Sequence, residues 1–221
     1  MVSSTSRPRA VRTVVVDDEP FVLHALRSYL DPSPEIELLS TFASAADCLA
    51  FLRSVPVDVV VTDVRMTGMD GLELLQHVRE LHPATAVVVL TSFDDDTALL
   101  GALVSQASGF LLKDSAPEEI VRAVTAAATG GTTISPRSAS RLVAEHLTLA
   151  PEPRRDVTDA ERSVLALLCE GYSNAEVASR LSVAESTVKT HVAHLMQKYG
   201  VTSRLKLVVA ASRETGSGAG R

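Results

Sequence analysis

Val57-Asp58-Val59-Val60-Val61-Thr62-Asp63 is a run of β-branched residues closed by a carboxylate. Valine and threonine favour extended backbone. A strand with no polar–apolar alternation is one whose sheet is covered by helices on both faces. Residues 86–91 have the same character, and shorter β-branched runs stand at 13–16, 37–42 and 109–112. Helical periodicity fills the intervals at 21–29, 45–53, 72–82, 97–105 and 118–129. This alternation predicts a doubly wound, five-stranded parallel α/β sheet. Gly130-Gly131 is expected to end the last of these helices, because glycine takes the left-handed C-cap conformation readily.

Beyond that point the pattern changes. Ser135-Pro136 can start a short helix running to about Leu147, and Ala150-Pro151-Glu152-Pro153-Arg154-Arg155 reads as an exposed linker. From Val157 onward the pattern is wholly helical. Thr158 is a plausible N-cap and Glu161 completes a capping box. That helix stops at Gly171, and further helices are expected at 175–181, 185–199 and 204–212. Short helices joined by tight turns describe an all-α, four-helix unit with a helix-turn-helix core. The chain thus divides into a domain at 11–131, a linker with a short helix at 132–156, and a second domain at 157–213.

Composition narrows the function. Aromatic residues make up 4% of the 221 and Trp is absent, so stacking on single-stranded nucleic acid is disfavoured. No apolar run is long enough to span a bilayer, and the first twelve residues lack the apolar core of a signal peptide, which points to the cytoplasm and no membrane partner. Cys48 and Cys169 lie among leucines and alanines and read as two reduced core thiols. Residues 1–153 carry a net charge of about −9 and residues 154–221 about +3, as in an acidic regulatory domain joined to a nucleic-acid-binding one.

In a doubly wound sheet, ligands sit outside the carboxyl ends of the strands. The first strand ends in Asp17-Asp18-Glu19, the third in Thr62-Asp63, the fourth in Thr91-Ser92 and the fifth in Leu112-Lys113. One edge therefore gathers carboxylates, a hydroxyl and an ammonium. Clustered carboxylates call for a hard cation such as Mg²⁺. One carboxylate can also act as a nucleophile and form an aspartyl phosphate. The Asp94-Asp95-Asp96 run reads as a solvated loop and helix N-terminus rather than a second metal site.

Val16-Asp17-Asp18-Glu19-Pro20, Thr62-Asp63-Val64-Arg65-Met66, Gly68-Met69-Asp70-Gly71, Leu90-Thr91-Ser92 and Gly109-Phe110-Leu111-Leu112-Lys113-Asp114 together resemble the receiver domain of two-component response regulators, which is flavodoxin-like. The resemblance implies that Asp63 accepts a phosphoryl group from a sensor histidine kinase. It implies that Asp17, Asp18, Asp63 and the backbone carbonyl of Arg65 hold Mg²⁺. Thr91 would contact the phosphoryl oxygens, Lys113 would pair with them, and Phe110 would rotate inward as an aromatic switch. Thr67 departs from the family, which usually has proline there; losing its φ restraint is expected to loosen the loop.

The second domain resembles the LuxR-type helix-turn-helix of the NarL/FixJ group, through Gly171-Tyr172-Ser173-Asn174-Ala175-Glu176-Val177-Ala178, Leu181, Ser186-Thr187-Val188-Lys189-Thr190-His191-Val192, Lys198-Tyr199-Gly200-Val201 and Arg204. Helix 185–199 has an inner face of Val188, Val192, Leu195 and Met196, and an outer face of Thr187, Lys189, Thr190, His194 and Lys198. The resemblance places Lys189 and Thr190 at base edges of double-stranded DNA, with Ala193 at a third contact position. Thr187, Lys198 and Arg204 read as phosphate contacts. Leu205, Leu207, Val208 and Ala211 exceed what such a module buries easily; part of that helix is read as a dimer contact, with core packing as its rival. The resulting expectation is a transcription factor that dimerises on phosphorylation or DNA binding, with RNA polymerase a further candidate partner. The rival is a phosphohydrolase, which wants a second Asp two residues after the nucleophile; Arg65 stands there instead.

Overall fold

The structure, a computed structural model, describes residues 9–92, 107–134 and 157–217, with side chains of the last stretch up to Ala211. Elements follow in the order β1 (Val11–Val16), α1 (Pro20–Leu30), β2 (Ile36–Phe42), α2 (Ala45–Leu52), β3 (Val59–Asp63), α3 (Gly71–Leu81), β4 (Ala86–Thr91), β5 (Gly109–Leu112), α4 (Pro117–Ala128) and β6 (Thr133–Ile134). The helical unit then comprises α5 (Asp159–Cys169), α6 (Asn174–Leu181), α7 (Glu185–Tyr199) and α8 (Arg204–Ser217). The expected helix at 97–105, the Asp94-Asp95-Asp96 run, the short helix after Ser135-Pro136 and the linker at 150–155 lie outside the described residues.

All strand pairs are parallel, in the order β2-β1-β3-β4-β5-β6. The sheet therefore has one strand more than the five expected. Gly130, at φ +76°, ends α4 and reverses the chain, and Thr133 and Ile134 then pair with Gly109 and Phe110 on the open edge of β5. A pairing two residues long leaves no periodicity to read in the sequence.

The apolar runs split by pleat between two cores. Val14, Val16, Val60, Val87, Val89 and Phe110 pack with residues of α2 and α3 on one face. Val15, Val59, Val61, Val88, Leu90 and Leu111 pack with Leu26, Leu30, Ile120 and Val124 of α1 and α4 on the other. Both faces are covered, as the continuous valine runs require. A third core, including Val164, Leu168, Val177, Val188, Leu195 and Leu207, holds the helical unit together.

The two units share a seam. Ile134 packs against both the first and the third core, and Leu205 and Val209 of α8 belong to the first. Leu207, Val208 and Ala211, on the other side of α8, join the third. The apolar surplus on this helix is thus covered within one chain, partly by its own module, as the rival reading of core packing has it, and partly by the α/β domain. The thiols also part company with expectation. Cys48 is buried and unbonded, its pKa pushed up to about 12 by burial, whereas Cys169 is exposed at the end of α5 rather than in a core.

α3 begins against the end of β3. The Gly71 N–H donates to the Val64 carbonyl at 2.9 Å. A Cβ on Gly71 would stand 1.8 Å from the Asp63 carbonyl oxygen, so only glycine permits this approach. Gly71→Ala is therefore expected to destabilise the α/β domain by about 1–3 kcal/mol, the range for forced overpacking. Urea denaturation measures this, and a loss well under 1 kcal/mol would show that the loop yields without strain.

Candidate functional site

The ends of β1, β3 and β5 bring the predicted groups together. Asp17 is fully buried and Asp63 is 4% exposed. The Lys113 ammonium stands 2.8 Å from Asp17 Oδ2, 3.0 Å from Asp63 Oδ2 and 3.0 Å from Glu19 Oε1. The remaining oxygens of the two buried carboxylates accept backbone donors: Asp17 Oδ1 from the Glu19 N–H at 2.9 Å, and Asp63 Oδ1 from the Val64 N–H at 2.7 Å. Burial raises the Asp17 pKa against the opposing pull of Lys113. Burial also draws the Lys113 pKa down, but its bonds to Asp17, Asp63 and Glu19 outweigh that and leave it above the ordinary lysine value. Lys113 is therefore firmly cationic. Thr91 ends β4, buried, and its carbonyl accepts the Lys113 N–H at 2.8 Å, which ties the hydroxyl-bearing strand to the lysine-bearing one.

Asp18 completes the cluster. One oxygen from each of Asp17, Asp18 and Asp63 lies within 4.8 Å of the others. Asp18 Oδ2 accepts the Thr67 N–H at 2.8 Å and the Thr67 hydroxyl at 2.9 Å. These two bonds, the backbone one first, lower the Asp18 pKa. The expectation of a loosened loop is thus corrected: the residue that replaces proline anchors the loop to Asp18 through two donors that proline lacks. Arg65 stands in the same loop with an exposed side chain.

Phe110 lies inside the fold. It is 1% exposed, already buried between its register partners Val89 of β4 and Ile134 of β6.

In the helical unit, Thr158 and Glu161 form the predicted capping box on α5, and Ser173 and Glu176 form a second on α6. α7 buries Val188, Val192 and Leu195 and exposes Thr187, Lys189, Thr190, Ala193 and His194 on one side. The Lys189 ammonium reaches Glu185 at 2.8 Å across one helical turn, with both side chains solvated.

Two cations assigned to DNA phosphates are engaged elsewhere. Lys198 Nζ is 2.7 Å from Glu161 Oε2, which also accepts the Thr158 N–H at 2.8 Å, so this lysine clamps α7 to the start of α5. Arg204 donates to Asn174 Oδ1 at 2.6 Å and to the Tyr172 carbonyl, and burial lowers its pKa to about 10. Both side chains tie α7 and α8 to the rest of the module, and the phosphate-contact reading is withdrawn for them. The sequence carries a signal for the first of these: Glu161 stands at the capping-box position, and a buried capping carboxylate calls for a countercharge.

A regulatory-type α/β domain with an acidic pocket is thus joined to a helix-turn-helix module. Residues 13–125 match the response regulator receiver domain, and residues 156–211 match the bacterial regulatory proteins of the luxR family. A DNA-binding transcriptional activator of Mycobacterium tuberculosis, DevR/DosR, is 34% identical over 91% of this chain and 94% of its own length. Among solved structures, the response regulator ChrA of a heme-sensing two-component system is 31% identical, with a TM-score of 0.53 over 93% of this chain and 98% of that one. A structure of two RcsB dimers bound to two parallel DNAs is 25% identical, with a TM-score of 0.58 over 92% and 98%. The chain belongs to the response regulators that carry a LuxR-type helix-turn-helix, a family of transcription regulators and not of enzymes. Among the described residues, no helix is long and apolar enough to cross a membrane.

The ion pair between Glu161 and Lys198 has a pH signature. The Lys198 ammonium, and after it the Thr158 N–H, hold the Glu161 carboxyl at about 2 against an ordinary 4.5. A carboxyl depressed in the folded state stabilises the module above 4.5, and that contribution disappears as pH falls toward 2. Lys198→Ala should cost about 1 kcal/mol at neutral pH. It should also flatten the loss of stability across that acid window. Chemical denaturation followed at pH 7 and pH 3 measures both; equal stability of variant and wild type at both pH values would dissociate Lys198 from the fold.

Proposed function

We propose that this protein is a phosphorylation-controlled transcription factor in which Asp63 accepts a phosphoryl group from a sensor histidine kinase. The observation that carries the reading is the Lys113 ammonium lodged 2.8 and 3.0 Å from the two buried carboxylates Asp17 and Asp63. A pocket that gathers so much negative charge, closed by one cation, is built to exchange charge.

The donor set suits Mg²⁺, a hard cation that takes oxygen ligands from a few carboxylates together with phosphate. Asp17, Asp18 and Asp63 each offer an oxygen within 4.8 Å of the others, and the backbone carbonyl of Arg65 would complete the protein's share. When bound, the ion neutralises charge on the entering phosphoryl oxygens. The chain's own residues do the rest. An Asp63 carboxylate oxygen attacks phosphorus as the bond to the donor imidazole breaks and its electron pair returns to the imidazole nitrogen. Lys113 turns from Asp63 to pair with the phosphoryl oxygens, and the Thr91 hydroxyl donates to one of them.

Phosphorylation would reach the DNA-binding module through the seam. Thr91 and Phe110 lie on paired strands, Phe110 pairs with Ile134, and Ile134 packs against both units. A charge change at Asp63 thus acts on a packing junction that holds α8, a local event that biases a two-state surface. Release of α8 would free Leu205 and Val209 for a second copy. Two modules would then present α7 to two half-sites in the major groove. Lys189, Thr190, Ala193 and His194 are the proposed base-edge set and Thr187 a phosphate contact. Recruitment of RNA polymerase belongs to the same reading.

Two experiments test this. Acetyl phosphate with Mg²⁺ should add one phosphoryl group to the wild type and none to Asp63→Asn, as read by intact mass; an unchanged wild-type mass would falsify the switch. Lys189→Ala should weaken binding to a specific operator by about 1–3 kcal/mol while leaving nonspecific binding nearly intact. Equal loss on every sequence would make Lys189 a phosphate contact.

A further inference from the structure

We propose that Thr67 is a positioning residue that sets Asp18 for the metal ion. This rests on the reading of the acidic pocket as a Mg²⁺ site. Asp18 follows β1 in a loop, is half-buried, and has no strand or helix to fix its side chain. What fixes it is Thr67. The Thr67 N–H and hydroxyl converge on the same oxygen, Oδ2, at 2.8 and 2.9 Å.

Two donors on one oxygen set the rotation of the carboxylate. Asp18 is thereby kept with an oxygen inside the cluster formed with Asp17 and Asp63, instead of turning to solvent. A carboxylate held in place loses less rotational freedom when it ligates an ion, and groups that orient a ligand are worth a large part of metal affinity. The proline usual at this position in receiver domains has neither an N–H nor a hydroxyl, so it can make neither bond. The Thr67 hydroxyl bonds Asp18, and because the side chain is exposed its removal leaves no cavity.

The test is isothermal titration of the unphosphorylated full chain with MgCl₂ at fixed ionic strength. Thr67→Val keeps the shape and the N–H but lacks the hydroxyl. It should raise the Kd for Mg²⁺ about tenfold, the lower range for loss of a group that orients a ligand, while Thr67→Ser should stay within about twofold of wild type. Thr67→Pro, lacking both donors, should bind at least as weakly as Thr67→Val. Melting temperatures of wild type and Thr67→Val in EDTA should coincide. Wild-type or tighter affinity in Thr67→Val overturns the proposal, because the hydroxyl would then be idle or in competition with the ion. Serine failing to restore affinity, or a melting temperature several degrees lower for Thr67→Val in EDTA, reassigns Thr67 to a structural role. A wild-type chain that binds no Mg²⁺ removes the metal reading itself, a result distinct from all of these.

Discussion

Two carboxylates, Asp17 and Asp63, are buried side by side at the edge of a parallel sheet, and one ammonium separates them. Burying a charge is costly unless it is paired and its remaining oxygens are satisfied. Here the pairing is shared: Lys113 serves both, and the Glu19 and Val64 N–H groups take the other oxygens. The arrangement depends on strand order. β1 and β3 are neighbours, and β5 is reached across β4, so the lysine must extend past Thr91 to reach the carboxylates. A phosphoryl group on Asp63 would move the largest negative charge outward and shift the demand on the same ammonium. On the proposed reading the resting pocket and the modified one would compete for one cation, which would give the site two states.

The seam between the units is well placed to be sensitive to that competition. β6 contributes only two residues to the sheet, and its first backbone bond, Thr133 N–H to the Ser108 carbonyl, is 3.3 Å long. Elements with few backbone bonds open at low free energy. Ile134, carried on this strand, is nevertheless part of the packing of both units. Leu205 and Val209 of α8 are buried in the core of the α/β domain, so in the proposed mechanism a bias at β5 and β6 would act on the surface they cover.

The sequence revealed most where residues repeat with a period or stack into one pocket. The valine runs specify buried parallel strands, and the heads of β1, β3, β4 and β5 place Asp17, Asp18, Asp63, Thr91 and Lys113 together. Thr158 and Glu161 announce a helix start. What stayed hidden has no period. β6 is two residues whose strand character comes from the open edge of β5. The two Thr67 bonds to Asp18 join residues 49 positions apart and arise from the sheet's geometry. Arg204 looks like a solvated cation in sequence, and only the packing of α8 shows that it faces inward; for Lys198 the capping carboxylate Glu161 is the one hint.

That inward turn bears on how the module would hold DNA. Phosphate contacts supply most sequence-independent affinity and its salt dependence. With Lys198 and Arg204 engaged within the fold, the described cations nearest the exposed face of α7 are few, and Lys189 must leave Glu185 before it can serve a base or a phosphate. On the proposed reading, the discrimination of a single module would lean on Thr190, Ala193 and His194 at base edges. Such a module gains occupancy chiefly by acting in pairs, since two linked sites bind far more tightly than either alone. On the proposed reading the covered state of α8 and the pairing of Lys189 with Glu185 would work in the same direction: a monomer with its α8 surface hidden would hold DNA weakly, and control of that surface would be control of binding.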